Sequence, residues 1–270
     1  MQKLEAALGG KLLTRTARGI DLTTAGEALL PVARRLDSLL SDVGQVFPKS
    51  SVRPPAIIRI GSLETFAATH MAKLIASYKT VDPRVEFAII SGSSRSLMHM
   101  LQENDLDAAF VSYLVSGETL RTELTIKEEL VLFAAKNGPT KFHAKDPLAN
   151  CDSPLIVQRQ ACSYSERFLT YLNEKNLSVP RTIEAGSIEA LLGFVEQGLG
   201  IAVAPRTLIN SAVRKIRIIP LTPLGAKRWI SIHLVSNQRV PALIRFVEHC
   251  RECFTGVATP SPGILKRRAL

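Results

Sequence analysis

The chain has 270 residues, 46% of them hydrophobic, a formal net charge of +10 and four cysteines. That length buries a sizeable core in roughly one or two domains. No run of about 18 apolar residues occurs and no charged-then-apolar leader opens the chain, which argues against a membrane span or an exported protein and leaves a cytoplasmic one as the expectation. The cysteines (Cys151, Cys162, Cys250, Cys253) are few and unevenly placed, as reduced thiols in a reducing compartment are.

Leu4 and Leu8 form an i, i+4 pair on a helix that Gly9-Gly10 ends. A basic excursion from Lys11 to Arg18 follows, with a turn at Ala17-Arg18-Gly19-Ile20. Leu22 and Thr23 lead into a second helix with Thr23 or Thr24 as its N-cap. A helix, a basic two-stranded turn and another helix is the geometry of a winged helix-turn-helix tail. Cations on such a wing sit on phosphates, which position a protein without specifying sequence.

The run Leu4-Glu5…Leu8-Gly9…Leu12-Leu13…Arg15…Arg18…Leu22-Thr23…Ala25-Gly26 closely resembles the LysR-type transcriptional regulators of bacteria. The resemblance implies that Lys11, Arg15, Thr16 and Arg18 contact the DNA backbone. In that family two helices and most of the recognition helix precede the Leu-Glu pair, and the base-reading residues lie at that helix's N-terminal end. Met1 aligns with an apolar core position in the last turns of that helix. The expectation is therefore a partial winged helix-turn-helix over residues 1–22, through a late start codon or a truncated product, that touches DNA but reads sequence poorly.

From Thr23 to Phe47 the apolar residues Leu29, Val32, Leu36, Leu39, Val43 and Val46 are spaced 3, 4, 3, 4 and 3. That heptad seam marks a helix that pairs with another helix, and the resemblance makes it the linker through which protomers form a homodimer or homotetramer. Pro31 lies within it and predicts a kink. Residues 48–55, rich in proline and small polar residues, read as an extended hinge.

Beyond the hinge, strands and helices alternate. Strands are expected at Ala56–Ile60, Val85–Ile90, Asp107–Val111, Leu130–Ala135, Leu155–Gln158, Thr182–Ala185, Ile201–Ala204, Ile216–Pro220 and Trp229–Val235. Helices are expected at Thr65–Lys79, Ser94–Glu103, Ser165–Asn173, Ser187–Gln197 and Pro241–Phe254. The opening β-α-β-α-β run predicts an α/β fold with a parallel sheet and helices on both faces. The resemblance implies a two-lobed effector domain shaped like a periplasmic binding protein over residues 56–270. Lobe I would take about 56–128 and 229–255, lobe II about 129–228, and residues 256–270 would form a basic tail. The chain would cross between lobes near Lys127–Leu130 and Leu224–Trp229.

The positive charge is unevenly spread. Residues 1–35 carry six Lys and Arg against three Asp and Glu, residues 36–203 sixteen against nineteen, and residues 204–270 twelve against two. Most of the excess lies far from the wing and reads as a solvated tail that adds non-specific attraction to DNA.

Ligands of open α/β sheets bind beyond the carboxyl ends of strands, where helix N-termini offer free N–H groups. Three such junctions stand out: Gly61-Ser62-Leu63-Glu64-Thr65, Cys162-Ser163-Tyr164-Ser165-Glu166 and Gly186-Ser187-Ile188-Glu189, with Ser112-Tyr113 as a fourth. Ser163 and Glu166 also have capping-box spacing, and serine before a helix is often only a cap. By resemblance, Ser62, Thr65, Ser112, Ser163, Tyr164 and Ser187 would hold a small-molecule effector. Hydroxyls and helix N-termini suit a carboxylate or phosphate, whereas Glu64 and Glu184 would repel one, so the effector's charge stays open.

The Gly198-Leu199-Gly200 turn follows a helix and reads as a C-cap, not a phosphate cradle. Cys250-Arg251-Glu252-Cys253 has C-x-x-C spacing but no second ligand cluster. His70, His99, His143, His233 and His249 show no metal-ligand spacing, and no nucleophile-plus-base set is visible. A regulator with no metal and no cofactor is expected, with DNA, effector and copies of itself as partners. A sensor that dimerises without binding DNA specifically is the alternative.

Overall fold

The computed structural model of the chain describes residues 1–16, 19–30, 32–33, 36, 56–113, 120–138, 153–158, 163–174, 181–209, 214–221, 229–237, 241–254 and 258–259. The expected turn residue Arg18, Pro31, the seam residues Leu39, Val43 and Val46, the hinge, Cys151 and Cys162, the second crossing up to Trp229, and the basic tail apart from residues 258–259 lie outside them. So do the side chains of Arg15 and Thr16.

Helix α1 (Gln2–Leu8) ends at Gly9, whose φ of 69° is the left-handed turn that glycine adopts without Cβ strain. Strands β1 (Leu13–Thr16) and β2 (Gly19–Leu22) pair antiparallel, with Leu13 opposite Leu22. Helix α2 starts at residue 24, and Thr23 caps it, its Oγ1 accepting from the Gly26 amide at 3.1 Å. The same hydroxyl donates to the Lys11 carbonyl at 2.6 Å, which ties the cap to the wing. Glu5 ties α1 to the wing from the other side, accepting from the amides of Leu12 (2.8 Å) and Leu13 (3.2 Å).

Two sheets follow. The first holds β3 (Ile57–Ser62), β4 (Glu86–Ser91) and β5 (Ala108–Val111), which run parallel in the order β4-β3-β5. Strand β11 (Trp229–Ser236) extends it antiparallel beside β5, and the front of β6 (Arg121–Ala135) lies beyond that. The sheet is therefore mixed, where the β-α-β-α-β run alone predicts a parallel one. The difference comes from Arg121–Glu129, a stretch to which the sequence reading assigns no strand and which carries five charged residues before its first long apolar run. Its burial nonetheless alternates, with Leu124, Ile126 and Glu128 turned inward, the period-2 mark of a strand.

The fifteen-residue β6 runs through both sheets. Up to Glu129 it pairs with β11; from Leu130 onward it pairs with β9 (Ala202–Pro205) and β10 (Ile216–Pro220). The first passage between sheets is thus made inside a strand, without a loop. Strands β7 (Leu155–Gln158) and β8 (Thr182–Ala185) pair parallel, and the Leu155–Ile201 bridge joins them to β9.

Helices cover the sheets. Helix α3 is a composite of Glu64–Phe66, a π turn at Ala67–Met71 and Ala72–Val81. Within it the Thr69 hydroxyl donates back to the Thr65 carbonyl at 2.8 Å, the local competition that bends helices. Helix α4 (Ser94–Gln102) buries Leu97, Met98 and Leu101 behind the first sheet. Helices α5 (Ser163–Glu174) and α6 (Ile188–Glu196) cover the second, and α7 (Pro241–Cys253) returns to pack on α3. One continuous apolar cluster runs from Ile58, Phe66 and Phe110 through Leu130 and Leu132 to Phe168 and Leu172, so the two sheets share a core around β6.

Candidate functional site

The carboxyl ends of β3, β4 and β7 and the loop after β8 converge on one cavity of about 190 Å³. Its walls are Leu63, Glu64, Thr65, Ser91, Gly92 and Ser93 from the first lobe, and Gln158, Ser163, Tyr164 and Gly186 from the second. Every wall residue thus ends or follows a strand, or opens a helix, where an α/β fold leaves N–H groups unpaired.

Short hydrogen bonds bridge the lobes at the rim. The Ser112 hydroxyl donates to Ser163 Oγ at 2.6 Å, and Ser94 Oγ lies 3.0 Å from Ser112 Oγ and from its amide. Glu64, in the first turn of α3, reaches across to the second lobe. One of its carboxylate oxygens accepts from Gln158 Nε2, and the other accepts from the Ile188 amide at the start of α6, at 3.4 Å. These contacts place hydroxyls and one carboxylate at the junction, and none forms a nucleophile-base pair.

A second link lies at the passage of β6 between sheets. Glu128 is buried, and its Oε1 accepts from Thr207 at 3.2 Å and stands 2.9 Å from His70 Nε2. The π turn carries His70 to this position, between the rings of Phe66 and Phe254. A buried carboxylate costs free energy unless it is paired, so His70 and Thr207 hold together the first lobe, β6 and the second lobe.

Of the six hydroxyl-bearing residues singled out above, Thr65, Ser163 and Tyr164 line the cavity. Ser112 stands behind it, bonded to Ser163. Ser62 is wholly buried and its hydroxyl donates to the Leu63 carbonyl at 3.1 Å. Ser187 caps α6, accepting from the Ala190 amide at 3.2 Å. Ser163 does not cap α5; it is that helix's first residue, and its hydroxyl accepts from Ser112. Sequence reasoning passed over Ser91-Gly92-Ser93 and Gln158, although both lie at strand ends; applying the strand-end rule to every strand would have found them.

Residues 53–255 match the family model described as the LysR substrate binding domain. The chain belongs to the LysR family of transcriptional regulators. It is 30% identical over 257 residues to the HTH-type transcriptional regulator GltR of Bacillus subtilis, covering 94% of this chain and 86% of that one. It is 32% identical over 223 residues to the regulator YusT of the same species, covering 82% and 73%. Among solved structures, full-length CbnR complexed with its target DNA superposes with a TM-score of 0.67 at 21% identity, covering 93% of this chain and 87% of that one. The BenM effector binding domain with its effector benzoate superposes at 0.64 with 19% identity, covering 80% and 100%. Both show the same fold. The relatives GltR and YusT are named as transcriptional regulators.

At the other end of this LysR chain, Lys11 is exposed beside the wing strands. On α2, Leu29 is half-buried while Val32 and Leu36 are exposed. The C-x-x-C residues sit apart: burial pushes the Cys250 thiol well up, and Cys253 is exposed with its sulfur 3.4 Å from His249 Nε2. One thiol held protonated in the core and one in solvent do not make a dithiol pair. Among the described residues no cluster of three or more His, Cys, Asp or Glu could hold a metal ion, and no helix is long and apolar enough to cross a membrane.

Proposed function

We propose that this LysR regulator senses a small molecule in the cavity between its two lobes and passes the signal to DNA through the wing and the α2 seam. The observation that carries the reading is the convergence on one cavity of Thr65, Ser163 and Tyr164, with Ser112 donating across the lobes to Ser163. A ligand that bonds both lobes in one arrangement only shifts their population toward it, by as much as its affinity differs between arrangements. β6 is the physical link, since one strand belongs to both sheets. Lobe I takes about 56–128 and 229–255 and lobe II about 129–228 in this reading, with residues 256–270 a basic tail.

Ser62, Thr65, Ser112, Ser163, Tyr164 and Ser187 hold or shape the effector site, and Ser62 and Ser187 act through the backbone that they fix. Lys11, Arg15, Thr16 and Arg18 of the wing meet DNA phosphates. Leu29, Val32, Leu36, Leu39, Val43 and Val46 pair protomers, and the regulator works in the cytoplasm. CbnR's complex with its target DNA and BenM's complex with benzoate support this reading by fold. Fluorescence anisotropy of the full chain on duplex DNA tests it. Lys11→Gln should weaken binding evenly across sequences and reduce the salt slope by about one; an unchanged slope would remove Lys11 from the interface. Thermal shift against a metabolite panel tests the cavity, because a ligand of the native state raises Tm.

A further inference from the structure

We infer that the effector carries a positively charged amino group and that Glu64 is its counter-charge. This rests on the reading of the inter-lobe cavity as the effector site. Glu64 is the one charged side chain among the described residues that line that cavity; the others are Leu63, two glycines, Gln158 and hydroxyl-bearing residues. An anionic ligand would look for the free amides at the start of α6, but the Ile188 amide already donates to Glu64 Oε1 at 3.4 Å. The chain thus supplies its own carboxylate where a ligand's would dock, and a second carboxylate there would meet like charge. Glu184, the other acid near this junction, does not line the cavity.

Toward the described residues the carboxylate keeps capacity to spare. Two carboxylate oxygens offer about four lone-pair sites, and Gln158 and Ile188 draw on one each. Among the described wall residues none is a cation. An ammonium group has three donors and no acceptor, so it can bond Glu64 and the nearby hydroxyls of Thr65 and Ser163 together. The cavity of about 190 Å³ has room for a short amine or amino acid.

The test uses the full chain at neutral pH and three probes that share a carbon skeleton: n-butylamine, γ-aminobutyrate and butyrate, at matched ionic strength. Thermal shift and calorimetry should show binding of one or both amines and none of butyrate. Glu64→Gln should weaken amine binding about tenfold or more, while Glu64→Asp keeps the charge and recovers part of it. The Tm of each unliganded variant checks that it folds. Equal amine affinity in Glu64→Gln, a preference for butyrate, or no response to any probe would overturn the assignment. Ser163→Phe, which fills the cavity, separates the two failures. Butyrate binding that Ser163→Phe abolishes would sink the charge assignment and keep the cavity as the ligand site; amine binding untouched by Ser163→Phe would sink the cavity itself.

Discussion

The first thirty-odd residues and the two lobes are stabilised in different ways. In the lobes, Phe66, Phe110, Phe133, Phe168 and Phe246 are fully buried, and the apolar cluster spans both sheets. In the N-terminal segment, Leu12 is the one buried large hydrophobic residue among those described, while Leu4, Leu8, Ile20, Leu22, Val32 and Leu36 are exposed. The segment is held by hydrogen bonds from Glu5 and Thr23 and by the close seat of Gly26. Hydrogen bonds contribute little net free energy beside apolar burial. Of these exposed residues, Val32 and Leu36 lie on the seam through which protomers are proposed to pair.

Four experiments can break or sharpen that contrast. Phe66→Ala should cost about 3–5 kcal/mol, since the ring is wholly buried and stacks on Phe110 at 4.5 Å. Urea unfolding followed by the single tryptophan, Trp229 in β11, reads the loss, and the wing should remain intact in dilute urea. Gly26→Ala should do the converse. A Cβ there would stand 2.1 Å from the Leu12 carbonyl oxygen, so about 1–3 kcal/mol of strain should detach α2 from the wing. Proteolysis would then cut near residue 26 while the Trp229 transition stays in place; a shifted transition would join the two regions into one cooperative unit.

Ser112→Ala removes the donor that bridges to Ser163. Unliganded stability should fall by about 1 kcal/mol, and any ligand that closes the lobes should bind more weakly. Unchanged ligand affinity would take the bridge out of the signalling path. The smallest effect belongs to Glu5. The Leu12 and Leu13 amides hold its carboxylate below the ordinary value of 4.5. Its contribution is present above that value and is lost as pH falls through the lower folded-state value. Protection of the Leu12 amide, measured relative to its intrinsic exchange rate at each pH, should therefore fall on acidification below about pH 4.5, and Glu5→Gln should remove that pH dependence.

Much of the fold was legible because local rules agree with the tertiary result. Strand β7 (Leu155–Gln158), β8 (Thr182–Ala185) and β10 (Ile216–Pro220) fall where the apolar runs predict them. Gly9 ends α1, and Thr23 caps α2. The front of β6 was not legible, because its partner β11 lies about a hundred residues further along the chain. The candidate site was half legible. The strand-end rule led to Thr65, Ser163 and Tyr164, but the reach of Glu64 across to Gln158 and Ile188 depends on how the lobes approach each other.

By itself, then, the sequence determined the kinds of elements, their order, the wing and the family, since periodicity, caps and turn glycines act over a few residues. Tertiary structure alone decided that one strand serves two sheets, that Ser62 is buried while Ser163 faces the cavity, and that a carboxylate occupies the start of α6. Those outcomes depend on pairing between distant segments, where the free energy of burial and of hydrogen bonds across the lobes outweighs any local preference.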